Sequence, residues 1–131
     1  MREMNTTALA YIGDAVYEVY IRKHVLEKGS VHVDVLHQMA VGYVRAEGQA
    51  RALKTIFDRL KPEEQKLVKR ARNHKSSSRP KNTDPKIYKW ATALEALIGY
   101  LYIQEEQGRL DEIIGWAIGA LEEKQEETQG G

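Results

Sequence analysis

Two stretches of the chain are apolar at nearly every helical offset and carry one charge each. Thr6–Tyr17, TTALAYIGDAVY, holds Asp14; Ala91–Ile103, ATALEALIGYLYI, holds Glu95. Both are too long for one ordinary strand and place apolar residues at i, i+3 and i+4, so both are predicted helices. On the first, Leu9, Ile12, Val16, Val19 and Tyr20 fall on one side. Asp14 lies roughly opposite, flanked by Ala10, Tyr11, Tyr17, Glu18 and Ile21. A helix apolar on more than one side is buried, or faces a core on one side and a partner on the other. A lone carboxylate in such a helix needs compensation, because an unpaired buried charge is costly.

The remaining pattern gives four more helices. Asn5, Thr6 and Thr7 are all suitable caps for the first helix, which is expected to run to about Glu27 and stop at Gly29. Ser30 through Leu60 reads as two helices, about Val33–Gly42 and Val44–Arg59. Their apolar faces come from Val35, Leu36 and Met39, then Val44, Ala50, Leu53, Ile56, Phe57 and Leu60. Pro62 suits the first turn of a helix reaching about Asn73, with Glu63 and Glu64 at its positive end. Lys75–Pro85, KSSSRPKNTDP, is a loop by composition. Thr83 or Asp84 can cap the next helix, about Pro85–Glu105, which Gly108 is expected to break. A last amphipathic helix covers about Leu110–Glu123 and turns Leu110, Ile113, Ile114, Ala117, Ile118 and Leu121 inward. The polar tail after it is expected to be disordered. With no alternating pattern, no hairpin dipeptide between strands and no repeat, the fold class is all-α.

Composition changes this picture little. At 131 residues the chain is expected to be one domain with a real core. The absence of cysteine excludes a disulfide framework and any thiolate metal site or nucleophile. Met1–Thr7 lacks the features of a signal peptide, and no apolar run reaches the ~18 residues of a membrane span, so the expected location is cytoplasmic. Charge is more informative. Lys66–Lys89 holds nine Lys or Arg and one acid, Asp84, for a local +8, against −7 for the rest of the chain. The net +1 conceals that asymmetry. An anionic partner is expected at that segment.

The plain alternative to a functional Asp14 is a carboxylate at a helix edge, solvated or paired with an arginine. Glu95 is harder to place, since Leu94, Leu97 and Ile98 surround it; a buried salt bridge is its plain alternative. Two such acids on separate apolar helices invite a shared divalent cation. Mg²⁺, a hard ion, takes one or two carboxylates and keeps several waters. Glu18, one turn beyond Asp14, is placed to assist. The basic segment interleaves Lys and Arg with Ser, Asn and Thr, residue types that hold phosphate oxygens. Its plain alternative is a solvated face. A phosphate-gripping loop leading into a carboxylate helix describes a nuclease or phosphohydrolase, in which Mg²⁺ would activate a water and neutralise charge on the scissile phosphate. The four histidines show no ligand spacing. Trp90 and Trp116 read as core or interface, and Gly13, Gly99, Gly115 and Gly119 as points of close helix approach. No P-loop or Rossmann glycine pattern is present.

AYIGDAVYE at Ala10–Glu18 resembles the signature helix of the ribonuclease III catalytic domain, which carries its catalytic aspartate. ALEALIGYLY at Ala93–Tyr102 resembles the second motif of that domain, with its metal-binding glutamate. Without a following double-stranded-RNA-binding domain, and with KRARNHKSSSRPKNTD before the second motif, the chain resembles the short bacterial form, the Mini-ribonuclease III family. The resemblance implies a ribonuclease III endonuclease-domain-like helical bundle over residues 1–124, with 125–131 as a disordered tail. It implies a homodimeric, Mg²⁺-dependent endoribonuclease that cleaves double-stranded RNA and matures the ends of 23S ribosomal RNA in its precursor. By the same resemblance Asp14 and Glu95 are the catalytic and metal-binding acids. Three acids of the larger family have no counterpart: Ala10, Thr92 and Thr7 stand in their places, so more of a metal's shell would be water.

The expected RNA contacts are Lys69, Arg70, Arg72, Asn73, Lys75, Ser76, Arg79, Lys81 and Asn82. Two other functions remain open on the residues alone. One is an all-α nucleotide pyrophosphohydrolase, against which the acid pairs Glu63–Glu64 and Glu105–Glu106 are expected at exposed helix ends rather than in an EExxE cluster. The other is an RNA-binding or scaffold dimer with weak or lost catalysis.

Overall fold

The computed structural model describes residues 4–29, 31–74 and 84–130, the last seven of these in their backbone alone. Among them are six α-helices, a short 3-10 turn and no strand. In chain order these are α1 (Thr6–Leu26), α2 (Val33–Val44), α3 (Ala46–Ile56), the 3-10 turn Phe57–Arg59, α4 (Pro62–Asn73), α5 (Pro85–Ile103) and α6 (Gln107–Gly130). No helix among the described residues is long and apolar enough to cross a membrane.

The ends of these helices follow local chemistry. Asn5 caps α1 by accepting from the Thr7 backbone N–H at 2.7 Å, and Gly29 follows the helix at φ +103°. That left-handed conformation costs an L side chain and suits glycine. Asp84 caps α5 by accepting from the Lys86 N–H at 2.8 Å, with Pro85 at the first position. Glu64 reaches back to the Lys61 N–H at the start of α4, where Pro62 also sits. The end of α5 departs from expectation. Glu105, at φ +57°, makes the turn, and the Glu106 N–H closes back on the Leu101 carbonyl. Gly108 therefore breaks nothing and lies in the first turn of α6. At its far end α6 continues past Glu123 to Gly130. Glu, Gln and Lys are good helix formers, and no breaker intervenes before Gly130.

The central helix is α5, which packs against α1, α3, α4 and α6. Leu94, Leu97, Ile98 and Leu101 are fully buried there. Truncating one such leucine to alanine typically costs 2–5 kcal/mol, about half the stability of an ordinary domain. Leu9, Tyr17 and Ile21 of α1, Leu53 and Ile56 of α3, and Leu110, Ile113 and Ile114 of α6 complete the core. Two residues grouped on the apolar faces lie outside it. Val19 is 66% exposed and Val35 is also exposed, whereas Tyr17 and Ile21, expected beside Asp14, are buried. The face that α5 covers is centred nearer Gly13 and Tyr17 than the apolar count alone suggests.

Two polar ties hold the outer helices. Glu122 of α6 accepts from His24 (2.8 Å), Tyr43 (2.8 Å) and Lys28 (2.9 Å), joining α6 to α1 and α2. Burial opposes its charge, but the three hydrogen bonds outweigh burial and hold its carboxyl down at about 2. The second tie corrects the reading of Glu64, which is not at an exposed helix end. It is 3% exposed and takes a two-pronged bond from Arg109, Nη2 to Oε1 at 2.7 Å and Nε to Oε2 at 2.9 Å. A forked guanidinium is what makes a buried carboxylate tolerable.

Candidate active site

The site forms where α1 and α5 cross. A Cβ on Gly13 would lie 1.7 Å from the Glu95 carbonyl oxygen, and one on Gly99 would lie 1.9 Å from the Leu9 carbonyl oxygen. Only glycine permits this contact of backbones. The expected close approach thus holds for Gly13 and Gly99. It does not hold for Gly115 and Gly119, beside which an added Cβ meets nothing within 4 Å. The crossing brings Asp14, the residue after Gly13, against Glu95.

The Asp14 side chain is exposed and that of Glu95 half-buried, and the two carboxyls lie within hydrogen-bonding reach. Burial first, then the hydrogen bond and the charge of Asp14, push the Glu95 carboxyl up to about 8; a hydrogen bond from Gln49 pulls the other way. Among the described residues Glu95 makes no salt bridge, which was its plain alternative. Like charges in contact in a partly dry site hold a proton, or a cation in its place. Tyr17 borders the same site. Burial, and then the charge of Glu95, raise its hydroxyl above the ordinary tyrosine range, and the hydroxyl donates to the Tyr43 carbonyl at 3.0 Å.

The donor set fits a hard divalent cation: two carboxylates from different helices, one open to solvent. No group of three or more His, Cys, Asp or Glu placed to hold a metal occurs among the described residues. A cation bound by Asp14 and Glu95 would keep water in most of its shell. Glu18 accepts from Arg22 at 3.4 Å and lines a groove between α1 and α2. Ala10 is buried, whereas Thr7 and Thr92 share a groove with His74, Tyr88 and Lys89.

Gln49 is the residue that sequence reading missed. It sits in the first turns of α3, is 4% exposed, and its Nε2 donates to Glu95 Oε2 at 3.4 Å. Its one available signal was a lone amide on the buried side of an alanine-rich helix.

The expected RNA contacts divide. Lys69 and Asn73 are exposed on α4. Arg72 stacks over Trp90, its Cζ 4.8 Å from the ring centroid, and Lys69 lies over Phe57. Arg70 is engaged within the chain, donating to the Met4 carbonyl at 3.0 Å. Lys75, Ser76, Arg79, Lys81 and Asn82 lie outside the described residues.

Comparison with known proteins places the chain in a family. A model of the ribonuclease III domain matches residues 7–106. The Mini-ribonuclease 3 of Enterococcus faecalis is 41% identical over 127 residues, covering 95% of this chain and 96% of that one. The Mini-ribonuclease 3 of Brevibacillus brevis is 45% identical over 118 residues, 90% of this chain and 88% of its own. A crystal structure of a Fusobacterium nucleatum protein superposes with a TM-score of 0.79 at 34% identity, covering 90% of this chain and 94% of that one.

Proposed function

This chain belongs to the ribonuclease III family, and from that premise we propose that Asp14 and Glu95 form the catalytic centre of an Mg²⁺-dependent endonuclease. As a member of that family the protein is an endoribonuclease acting on double-stranded RNA. The observation that carries the site is the pair of carboxyls held in contact by the glycine crossing of α1 and α5.

In this reading Glu95 is the inner ligand, fixed by the central helix, and Asp14 the outer one, open to solvent and substrate. When bound, Mg²⁺ supplies activation of a water and neutralises charge developing on the scissile phosphate. The proton that Glu95 holds is given up as the cation enters, so binding tightens with pH up to about 8. Gly13 and Gly99 keep the two carboxyls at one spacing. Lys69, Arg72 and the basic segment after them grip phosphates of A-form RNA, with little base reading. The groove bearing Thr7, His74, Lys89 and Thr92 leads from that basic end along α5. The cleaved RNA is the 23S ribosomal precursor, as the resemblance to Mini-ribonuclease III implies, and the setting is the cytoplasm.

The working form is a homodimer. Its support is an apolar face beside the site: Tyr11 is 85% exposed, and Val19, Tyr102 and Ile103 are exposed with it. Ile12, Ala15, Val19, Tyr20 and Tyr102 line one groove there.

Asp14→Asn and Glu95→Gln are each expected to abolish cleavage of duplex RNA while preserving helicity and RNA binding. Retention of more than a few per cent of wild-type activity in either purified variant would remove that residue from the centre. Hydrolysis of free nucleoside triphosphates in preference to duplex RNA would instead favour a pyrophosphohydrolase.

A further inference from the structure

Gln49 is a polar side chain where packing alone asks for an apolar one. Its neighbours on α3, Gly48, Ala50, Ala52 and Leu53, are buried with it. A buried amide without a partner costs free energy that a methionine or leucine would not. The one side-chain hydrogen bond Gln49 makes among the described residues is the one from Nε2 to Glu95 Oε2 at 3.4 Å. The bond bridges α3 and α5, 46 residues apart in sequence.

We infer that Gln49 is a positioning residue of the active site, holding one oxygen of Glu95 so that the rest of the carboxylate stays turned toward Asp14 and a divalent cation. The inference rests on the two-carboxylate site proposed above. Its chemistry favours a neutral donor. A lysine or arginine at this position would neutralise Glu95 and compete with the cation. A glutamate would add a third negative charge to a pair already in contact. An amide N–H fixes an oxygen without altering the charge of the site. Orientation matters more here than in a crowded centre, because only two protein carboxylates come together among the described residues. With most of a cation's shell left to water, a swing of Glu95 has no other ligand to offset it. The bond is at the long end of hydrogen-bonding range, as is common before a catalytic complex tightens.

Groups that hold a metal ligand in place typically matter about 10–100-fold in metal affinity or activity. Gln49→Met conserves length and removes the amide. In the full chain without RNA, its affinity for Mn²⁺ measured by calorimetry is expected to fall roughly tenfold or more. Its kcat on duplex RNA is expected to fall by a similar factor, with KM for RNA unchanged and the metal-free melting temperature equal or higher. A residue that only packs would move the melting temperature and leave Mn²⁺ affinity alone. If Gln49→Met folds poorly, Gln49→Asn, which draws the amide back by one methylene, gives the same comparison. A folded variant with wild-type Mn²⁺ affinity and kcat overturns the inference while the two-carboxylate site stands. A wild-type chain that binds no Mn²⁺ and cuts no duplex RNA overturns the site and the inference together.

Discussion

At the scale of single residues, Asp14 and Glu95 stood out because each is the one charge in a long apolar stretch. Their contact was not legible, because it depends on where two helices cross. Glu64 was misread for a related reason. It looks like an ordinary acid in a first helical turn, and the Arg109 that buries it is 45 residues away. Gln49 gave only a weak signal, a lone amide in an alanine-rich helix, which is unremarkable until its burial is known. The Glu95 environment makes a signed prediction. In the folded chain Glu95 keeps a proton up to about pH 8, whereas an unfolded glutamate releases it near 4.5. Between those values the folded state binds more protons, so Glu95 makes the metal-free protein lose stability as pH rises from about 4.5 to about 8. Above that range its effect is constant. Glu95→Gln has no such proton to lose. Its advantage in metal-free unfolding free energy is expected to be small near the acid end and to grow to the order of 1–2 kcal/mol at the alkaline end, allowing for solvent screening. Added Mg²⁺ should stabilise wild type and leave the variant unmoved. A variant less stable than wild type at alkaline pH without metal would mean that Glu95 has a cationic partner.

At the scale of elements, helix starts were readable where a cap or a proline announces them: Asn5, Pro62, and Asp84 with Pro85. Helix ends were less so. The α5–α6 turn is made by Glu105 in a left-handed conformation, and no sequence rule prefers glutamate to Gly108 for that task. The glycines divide by what faces them, which periodicity does not contain. Gly13→Ala forces a methyl into the α5 backbone, 1.7 Å from the Glu95 carbonyl oxygen. The helices must separate, at a cost of about 1–3 kcal/mol or more. Because that crossing sets the spacing of Asp14 and Glu95, activity should fall further than the fraction of folded protein. Gly115→Ala meets nothing within 4 Å and sits inside α6. It should stabilise by about 0.5–1 kcal/mol through helix propensity, with activity unchanged. Urea unfolding and cleavage rate measured on both variants check the contrast. Equal effects of the two substitutions would mean that the α1–α5 crossing does not govern the site.

At the scale of the whole molecule, the chain's asymmetry of charge and its split apolar face point to two different partners. The sequence anticipated a helix apolar on more than one side, with Val19 grouped beside Leu9 and Val16, and left open which side meets the core. In the structure α1 gives Leu9, Tyr17 and Ile21 to its own core and leaves Tyr11 and Val19 outside. Tyr102 and Ile103 at the end of α5 are exposed as well, and Val19 and Tyr102 line one groove. A stable two-fold interface needs roughly 800 Å² from each partner, with an apolar centre. This face offers such a centre, built from the helix that carries Asp14, so a second copy seated here would sit beside the proposed Asp14–Glu95 site. Val19→Asp places a charge at that centre without touching the core of one chain. Light scattering after size exclusion is expected to show a dimer for wild type and a monomer for Val19→Asp. Helicity and thermal melting at low concentration should be alike, because Val19 is exposed within its own chain. Loss of the second copy removes the second site, so the variant is expected to nick one strand of duplex RNA and to lose paired cuts. Its binding of RNA should also weaken, because two linked sets of basic contacts become one. A Val19→Asp protein that remains dimeric and still cuts both strands would place the interface on another face, and the exposed Tyr11–Val19 ridge would then need a different partner.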